Sequence, residues 1–479
     1  GGLHGSRRGD AFTPVDFGED HNAYPRKNMK FLSFSSRLIL GAVFIFSGFV
    51  KAVDPLGSAY KFSDYFTAFK LGFFTFLTLP MAVILPAIEL VLGITLILGY
   101  QRRVVFRIVF WFLVFFTLLT LVLALFNPVT DCGCFGDAII LTNWQTFLKN
   151  VALMIVFVPL ILSWNLPGEA KAGALREWLV ITAMFLLVSG FSLWNLAHLP
   201  VLDFRPYDVG TVIRDEMEVP EGAPVDVYET ELIYRDKVSG ETGKFTIDNY
   251  PKDTALWEFI SSESKLISKG YEPPIHDFAI MDSEGWDVVD QILSDKGYTL
   301  LMISHSLKGA DADALRRAKE WAKMELLADD FTFYAVTASP TEEIETLSSR
   351  LGLDYRFFAA DEIMLKTVVR SNPGFVLIRN GAIVGKWGHR DFPSIERVDP
   401  GLVELIGHAE VPVDEEALML MEAGAFDGFS FGVTEFDRLA PALLYAPGAK
   451  KQEHSVVISF VFGVLLLLLL AHLVEPVRP

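Results

Sequence analysis

Six runs of mostly apolar residues constrain this chain more than any other feature. They are residues 31–53, 80–100, 104–126, 147–164, 178–196 and 456–473. Each is close to the roughly 20 residues that span a hydrocarbon core. Backbone polar groups in lipid must be satisfied within the segment, so helices are expected. The fourth run is short and extends back to Trp144 if its helix starts early. Composition agrees: 51% of residues are apolar, 21% are charged and the mean hydropathy is +0.36. Those values exclude a disordered chain, a collagen-like one and an ordinary cytosolic enzyme. Lys and Arg number 41 against 59 Asp and Glu, a formal net charge of −18. No basic excess meets phosphates, so nucleic acid is excluded as a partner.

The lipid bilayer is the first partner. Arg26, Lys27, Lys30 and Arg37 precede or open the first run. Arg102 and Arg103 separate the second from the third, Lys171 and Arg176 the fourth from the fifth, and Arg478 follows the sixth. Six spans put all of these on one side, which the positive-inside rule makes cytoplasmic. Lys51, Lys61 and Lys70 lie on the other side and count weakly against the rule. The expected location is a bacterial inner membrane, multi-pass, with the large insertion on the periplasmic side.

Seven segments follow. Residues 1–28 contain no Met, and Met29 followed by Lys30 and an apolar run reads as a start, so 1–28 is taken as a tag or upstream extension. Residues 29–165 form a four-helix membrane module and 176–198 a fifth helix. Residues 199–272 form a small β-rich segment, 273–395 an α/β domain, 396–453 an acidic and Gly/Phe-rich connector, and 454–474 a last helix. Gly41 and Gly48 in the first span suit close helix–helix approach. Residues 61–76 mix Lys61, Asp64 and Lys70 with aromatic side chains and read as an amphipathic helix on the outer surface.

The only two cysteines, Cys132 and Cys134, sit one residue apart between the third and fourth spans. Two thiols cannot build a disulfide framework or a four-thiolate zinc site. Residues two apart in an extended chain approach the upper limit of disulfide Cα spacing, so closure needs a bend, and Gly133 permits one. Such a bridge is strained and exposed, the labile and oxidising kind. Alternatives are two free buried thiols, or a metal site with Asp131 or Asp137, whose ligand set is incomplete; no metal is expected. The flanking aspartates are expected to raise a thiol pKa.

Glu89 lies near the middle of the second span, where a lone charge costs several kcal/mol. Lys51, at the outer end of the first span, can reach it. Either the two lock their helices together, or Glu89 serves as a proton or quinone contact near the cysteine loop.

Three stretches carry a resemblance. Asp131-Cys132-Gly133-Cys134-Phe135-Gly136-Asp137, the run Ser36 to Lys51, and Glu89 within Pro-Ala-Ile-Glu-Leu-Val-Leu-Gly resemble the DoxX/MauE group of membrane proteins over residues 29–164. The resemblance implies a four-helix module, disulfide formation in periplasmic partners on the MauE-like side, and quinone-linked oxidation on the DoxX-like side. Cys132, Cys134 and Glu89 are then the candidate catalytic residues, with Gly133 and Lys51 structural and a quinone the candidate cofactor.

In the insertion, 226–234 and 244–248 alternate as a hairpin. Strands are expected at 278–280, 299–304, 331–337, 355–359, 375–379 and 382–387, with helices at 310–327 and 341–351. Asn380-Gly381 is a strong hairpin turn. The order and the run from Ser371 to Gly381 look like a thioredoxin fold. Pro373 matches that fold's structural cis-proline, and the resemblance alone suggests a cis Asn372–Pro373 bond. Lys308 and Asp311 stand where such folds carry their two cysteines, and His305 reads as structural. The fold class is therefore a membrane α-helical bundle with an extracytoplasmic α/β thioredoxin-like domain that lacks thiols.

Two functions fit. One is an integral membrane thiol–disulfide redox protein whose Cys132 and Cys134 exchange electrons with an extracytoplasmic partner, an oxidoreductase linked to quinone. The other is a non-enzymatic membrane-anchored scaffold that binds partners through the redox-inactive domain. Protease added to intact spheroplasts should remove the region 199–454. Digestion only after lysis would overturn this topology.

Overall fold

The computed structural model describes residues 23–163, 174–399, 436, 439–444, 460–461 and 463–464. The chain divides into two compact units, residues 1–193 with 460–479, and residues 194–459. The first unit contains α1 (Ala23–Val53), α2 (Pro55–Ala68), α3 (Thr78–Leu98), α4 (Arg102–Phe126), α5 (Asn143–Leu162) and most of α6 (Ala174–Ala197). Five segments are long and apolar enough to cross a membrane: Met29–Val53, Gly72–Leu98, Arg102–Phe126, Asn143–Leu162 and Leu175–Ala197. The chain is a multi-pass membrane protein. Most of the expected sixth span lies outside the described residues, as do residues 1–22 of the expected extension.

Small residues set the contact between α1 and α3. A Cβ on Gly48 would come within 2.5 Å of the Leu90 amide nitrogen and 2.7 Å of the Pro86 carbonyl. One on Gly41 would lie 2.8 Å from the Gly93 carbonyl. The two backbones touch where no side chain intervenes, the close approach that Gly41 and Gly48 suggest in the sequence. The fourth span starts at Asn143, ahead of Trp144, because Thr142 and Gln145 form a capping box. Thr142 Oγ1 accepts from the Gln145 amide at 3.2 Å, and Gln145 Oε1 accepts from the Thr142 amide at 2.9 Å. Asn150 of α5 donates to Thr120 Oγ1 of α4 at 3.1 Å, a polar tie inside the bundle.

The segment after the first span departs from expectation. Its helix starts at Pro55, capped by Asp54, and stops at Ala68, where Lys70 turns to φ +57°. A 3₁₀ turn, Gly72–Leu77, then leads straight into α3. Ser58 and Ala59 of α2 are buried. The helix packs on the bundle because Lys61 and Tyr65 find polar partners there; it is not an independent surface helix.

The second unit opens with α7 (Ile213–Met217) and a three-stranded antiparallel sheet. Its strands β1 (Val227–Asp236), β2 (Thr242–Thr246) and β3 (Trp257–Ser268) lie in the order β2-β1-β3. Tyr234, Phe245, Trp257 and Phe259 cluster on one face, with ring centroids 5.2–5.9 Å apart. β3 is absent from the sequence reading because Ser, Glu and Lys interrupt its apolar alternation.

The larger sheet contains β4 (Ile280–Met281), β5 (Tyr298–Ser304), β6 (Phe331–Thr337), β7 (Phe357–Ala360), β8 (Gly374–Arg379) and β9 (Ala382–Gly388), in the order β4-β7-β6-β5-β8-β9. β5, β6 and β7 are parallel, and β8 runs antiparallel to both of its neighbours, β5 and β9. The helices are α8 (Val289–Ser294), α9 (Ala312–Ala322), α10 (Thr341–Leu351), α11 (Glu362–Val368), α12 (Ile395–Val398) and α13 (Ala440–Leu444). They cover two apolar layers, one around Trp321, Phe375 and Phe436, the other around Ile303, Val336 and Val376. This is the arrangement of a thioredoxin-like fold, with a cis Asn372–Pro373 bond before β8. The short helices α8 and α11 are additions to the sequence reading. Of the acidic connector, most lies outside the described residues, but Phe436 and Leu443 are buried in the first layer.

A buried charge cluster ties the strand-free stretch ahead of α7 to this sheet. Lys386 of β9 donates to Asp203 Oδ2 at 2.9 Å and to the Tyr207 carbonyl at 2.8 Å. Arg205 forks onto the same carboxylate at 2.7 and 2.8 Å and reaches the Thr367 carbonyl at 2.6 Å. Every charge in the cluster has a partner, as burial requires.

Gly48→Ala should lower the thermal midpoint of the detergent-solubilised chain, overpacking of this kind costing about 1–3 kcal/mol. Gly190→Ala is the control, since no described residue lies within 4 Å of its added methyl. Equal midpoints for the two variants would contradict the packing account.

Candidate functional site

The loop between α4 and α5 is pinned before it reaches the cysteines. Asn127 ends α4 in the left-handed region, and Asn143 Nδ2 donates to Asn127 Oδ1 and to the Val129 carbonyl, both at 2.7 Å. Gly133 takes φ +62°, the bend that the Cys-Gly-Cys spacing calls for. Its amide donates to Asp131 Oδ1 at 2.9 Å. The two sulfurs meet across this bend, 2.8 Å apart, as free thiols. Cys132 is buried and Cys134 is partly exposed.

Four elements converge on the pair. From α2, Tyr65 donates to the Cys132 carbonyl at 2.6 Å, and Lys61 pairs with Asp131 Oδ2 at 2.6 Å. The Lys61 stem lies against Gly133, where a Cβ would meet it at 3.1 Å. From α1, Ser47 Oγ sits 2.8 Å from Glu89 Oε2 and 2.9 Å from the Cys134 carbonyl. Its single hydroxyl proton serves one of these acceptors at a time. Lys51, also on α1, reaches the Glu89 carboxylate of α3 at 2.6 Å, and both side chains are buried. From α5, the Lys149 ammonium lies 4.5 Å from the centre of the Phe135 ring. All of these except Asp131 line one pocket of about 770 Å³, counting the open space at its mouth. Phe44, Phe112, Phe116 and Leu119 form its apolar side. An apolar cavity with a few convergent polar groups is the usual form of a small-molecule site.

The electrostatics separate the two thiols. The hydrogen bond from Cys132 lowers Cys134 to about 6, with help from Lys149 and Lys51, against burial and Glu89. The same bond, with burial, pushes Cys132 up. Burial likewise keeps the Tyr65 phenol protonated and a donor. Asp131, one of the two flanking aspartates, is paired with Lys61 and turned onto the Gly133 amide. The pair therefore favours the anion on Cys134 and the proton on Cys132.

Among the described residues of the second unit, the positions that resemble a thiol site hold other side chains. Asp311 caps α9, accepting from the Ala314 amide at 2.8 Å, and Lys308 sits in a 3₁₀ turn. Asn372, beside Pro373, bridges Ser304 Oγ at 2.8 Å and the Ser306 carbonyl at 2.7 Å. Burial lowers His305 to about 4, so its imidazole is neutral at pH 7.

The structure brings together Cys132, Gly133, Cys134, Lys51 and Glu89, and leaves Pro373 in the other unit. Sequence reasoning missed Ser47, Tyr65, Lys61 and Lys149. Lys149 falls inside the fourth apolar run, so the rule that picks out Glu89 also applies to it. Ser47 lies one helical turn before Lys51, on the same face.

Residues 29–164 match the model of the family described as methylamine utilisation protein MauE, and residues 228–269 match a domain of unknown function, DUF8463. The N-terminal module is thus a MauE membrane domain. No curated protein matches the chain. Similar solved structures include a Bacteroides thetaiotaomicron protein described as a protein disulfide isomerase, with 19% identity, 28% of this chain and 85% of that chain covered, and a TM-score of 0.21. Others are a thioredoxin-like protein in its oxidised form (11%, 28% and 90% covered, TM-score 0.21) and a variant of Xylella fastidiosa PrxQ (15%, 28% and 90% covered, TM-score 0.18).

In the reduced protein, iodoacetamide at pH 7 should modify Cys134 before Cys132, as read by peptide mass spectrometry. Lys61→Ala with Tyr65→Phe should raise the Cys132 rate severalfold by loosening α2 from the loop. Faster labelling of Cys132 in the unaltered chain would refute the assigned asymmetry.

Proposed function

We propose that this multi-pass membrane protein, built on a MauE domain, is a thiol–disulfide redox protein of a bacterial inner membrane, with Cys132 and Cys134 acting on a periplasmic protein partner. The observation that carries this reading is the sulfur–sulfur contact at the Gly133 bend, on the wall of an apolar pocket that also holds Lys51 and Glu89.

In the oxidising direction, a partner thiolate attacks Cys134 Sγ of the Cys132–Cys134 disulfide. That S–S bond breaks, and Cys132 leaves and takes a proton. A second partner thiolate then attacks the mixed disulfide at the partner's sulfur and releases Cys134 as thiolate. The partner gains one disulfide and the pair gains two electrons. A lipid-soluble quinone is the acceptor class that suits the pocket, taking two electrons and two protons as the pair closes again. Cys134 suits the exchanging role because it is the better stabilised anion of the two.

Glu89 and Ser47 form a polar path from the Lys51 pair to the Cys134 backbone and are the proposed proton route. The alternative is a scaffold with a static bridge, favoured by the second unit, where Asp311 is occupied as a helix cap in place of a thiol.

The Cys132–Cys134 reduction potential in nanodiscs separates the two readings. A value of about −180 mV or above is expected for an oxidant, and one below about −300 mV marks a structural bridge. Glu89→Gln should abolish partner oxidation while leaving the bridge intact. Adding Lys51→Met should not restore it if Glu89 moves protons, but should if the pair only locks α1 to α3, since no unpaired charge then stays buried. Wild-type turnover by Glu89→Gln would remove Glu89 from the mechanism.

A further inference from the structure

We infer that Lys149 is a positioning residue of the cysteine site, its ammonium serving as the counter-charge to the thiolate that the reduced Cys132–Cys134 pair carries. Three lysines line the pocket, Lys51, Lys61 and Lys149. Lys51 is paired with Glu89, and Lys61 with Asp131, each at 2.6 Å. No carboxylate among the described residues pairs with Lys149, whose ammonium rests on the Phe135 ring at 4.5 Å.

Phe135 directly follows Cys134, so the ring that seats the cation belongs to the cysteine loop itself. A cation–π contact contributes about 0.5–2 kcal/mol, less than the cost of an uncompensated charge in an apolar wall. The anion that completes the balance is a thiolate on the neighbouring sulfur. When the pair is a disulfide, the pocket keeps one positive charge in excess. Release of Cys134 as thiolate neutralises it. The reduced state is therefore the electrically balanced one, and Lys149 favours electron uptake.

Other charged or titratable groups stand around Cys134: Lys51 from α1, Glu89 from α3, Lys61 and Tyr65 from α2, and Cys132, Asp131 and Asp137 from its own loop, the two aspartates lying outside the pocket lining. Glu89 and Asp131 are each matched by a lysine and Asp137 does not line the pocket, so among the lining charges Lys149 is the one in excess. The effect on Cys134 has the same sign as its lowered pKa, to which Lys149 contributes after the Cys132 hydrogen bond.

The inference rests on the redox reading for its partner, but its test needs none. The full chain, reduced in nanodiscs, is alkylated with iodoacetamide over a pH series, and the Cys134 peptide is followed. Lys149→Met should move the midpoint of the rate profile up by about one pH unit, slowing Cys134 roughly tenfold on the acid side. Lys149→Arg should stay within about twofold of the parent. All profiles should converge at alkaline pH, where the thiolate is fully formed whatever its neighbour. Lys149→Gln replaces the Met variant if the latter fails to converge. An unchanged profile in the uncharged variants, or an Arg variant as slow as the uncharged ones, overturns the inference. A Lys149-dependent profile in a protein that oxidises no partner would uphold it and remove the redox function instead.

Discussion

The buried contact between Lys51 and Glu89 is the interaction on which the membrane module depends. Neither charge can stay alone in an apolar bundle, and breaking such a pair from one side costs about 3–5 kcal/mol. The pair forms only because α1 and α3 meet backbone to backbone at Gly48 and Gly41. One helical turn before Lys51, Ser47 reaches both Glu89 and the Cys134 carbonyl. The position of the cysteine loop is thus set by a charge pair in the bundle, and loop geometry and helix packing are one problem.

That loop is also held from the side of α2. Lys61 and Tyr65 fasten Asp131 and the Cys132 carbonyl, on the side of the loop away from Ser47 and Glu89. Two thiols two residues apart in sequence thereby acquire different environments. One donates a hydrogen bond and stays protonated, and the other accepts it and holds charge. Such inequality is what an ordered exchange requires, since one sulfur must bond to the partner and the other must resolve.

The second unit shows how a fold outlasts the chemistry usually found on it. Its sheet order is that of a thioredoxin-like fold, while Lys308 sits in a turn and Asp311 caps a helix, neither of them a thiol. Fold alone assigns no activity here. The cluster of Lys386, Asp203 and Arg205 indicates investment in rigidity: a segment without regular structure is fastened to β9 by charges that all find partners.

What the sequence determined by itself is whatever repeats along the chain or rests on a single residue type. The apolar runs, the hairpin at Asn380-Gly381, the strands Phe331–Thr337 and the bend at Gly133 follow from local pattern and backbone freedom. So does the suspicion that falls on Glu89, because a charge in an apolar run is costly wherever its partner lies. Tertiary structure decided what depends on neighbours distant in sequence. The sequence suggested that Asp131 would disfavour a thiolate, and the structure pairs it with Lys61, 70 residues away. It suggested a surface helix after the first span, and contacts with the cysteine loop drew that helix into the bundle. It left Lys149 among apolar residues without comment, and only the fold sets this ammonium on the ring beside Cys134. Charge acts through space, and the distances that set its effect appear only when the helices are assembled.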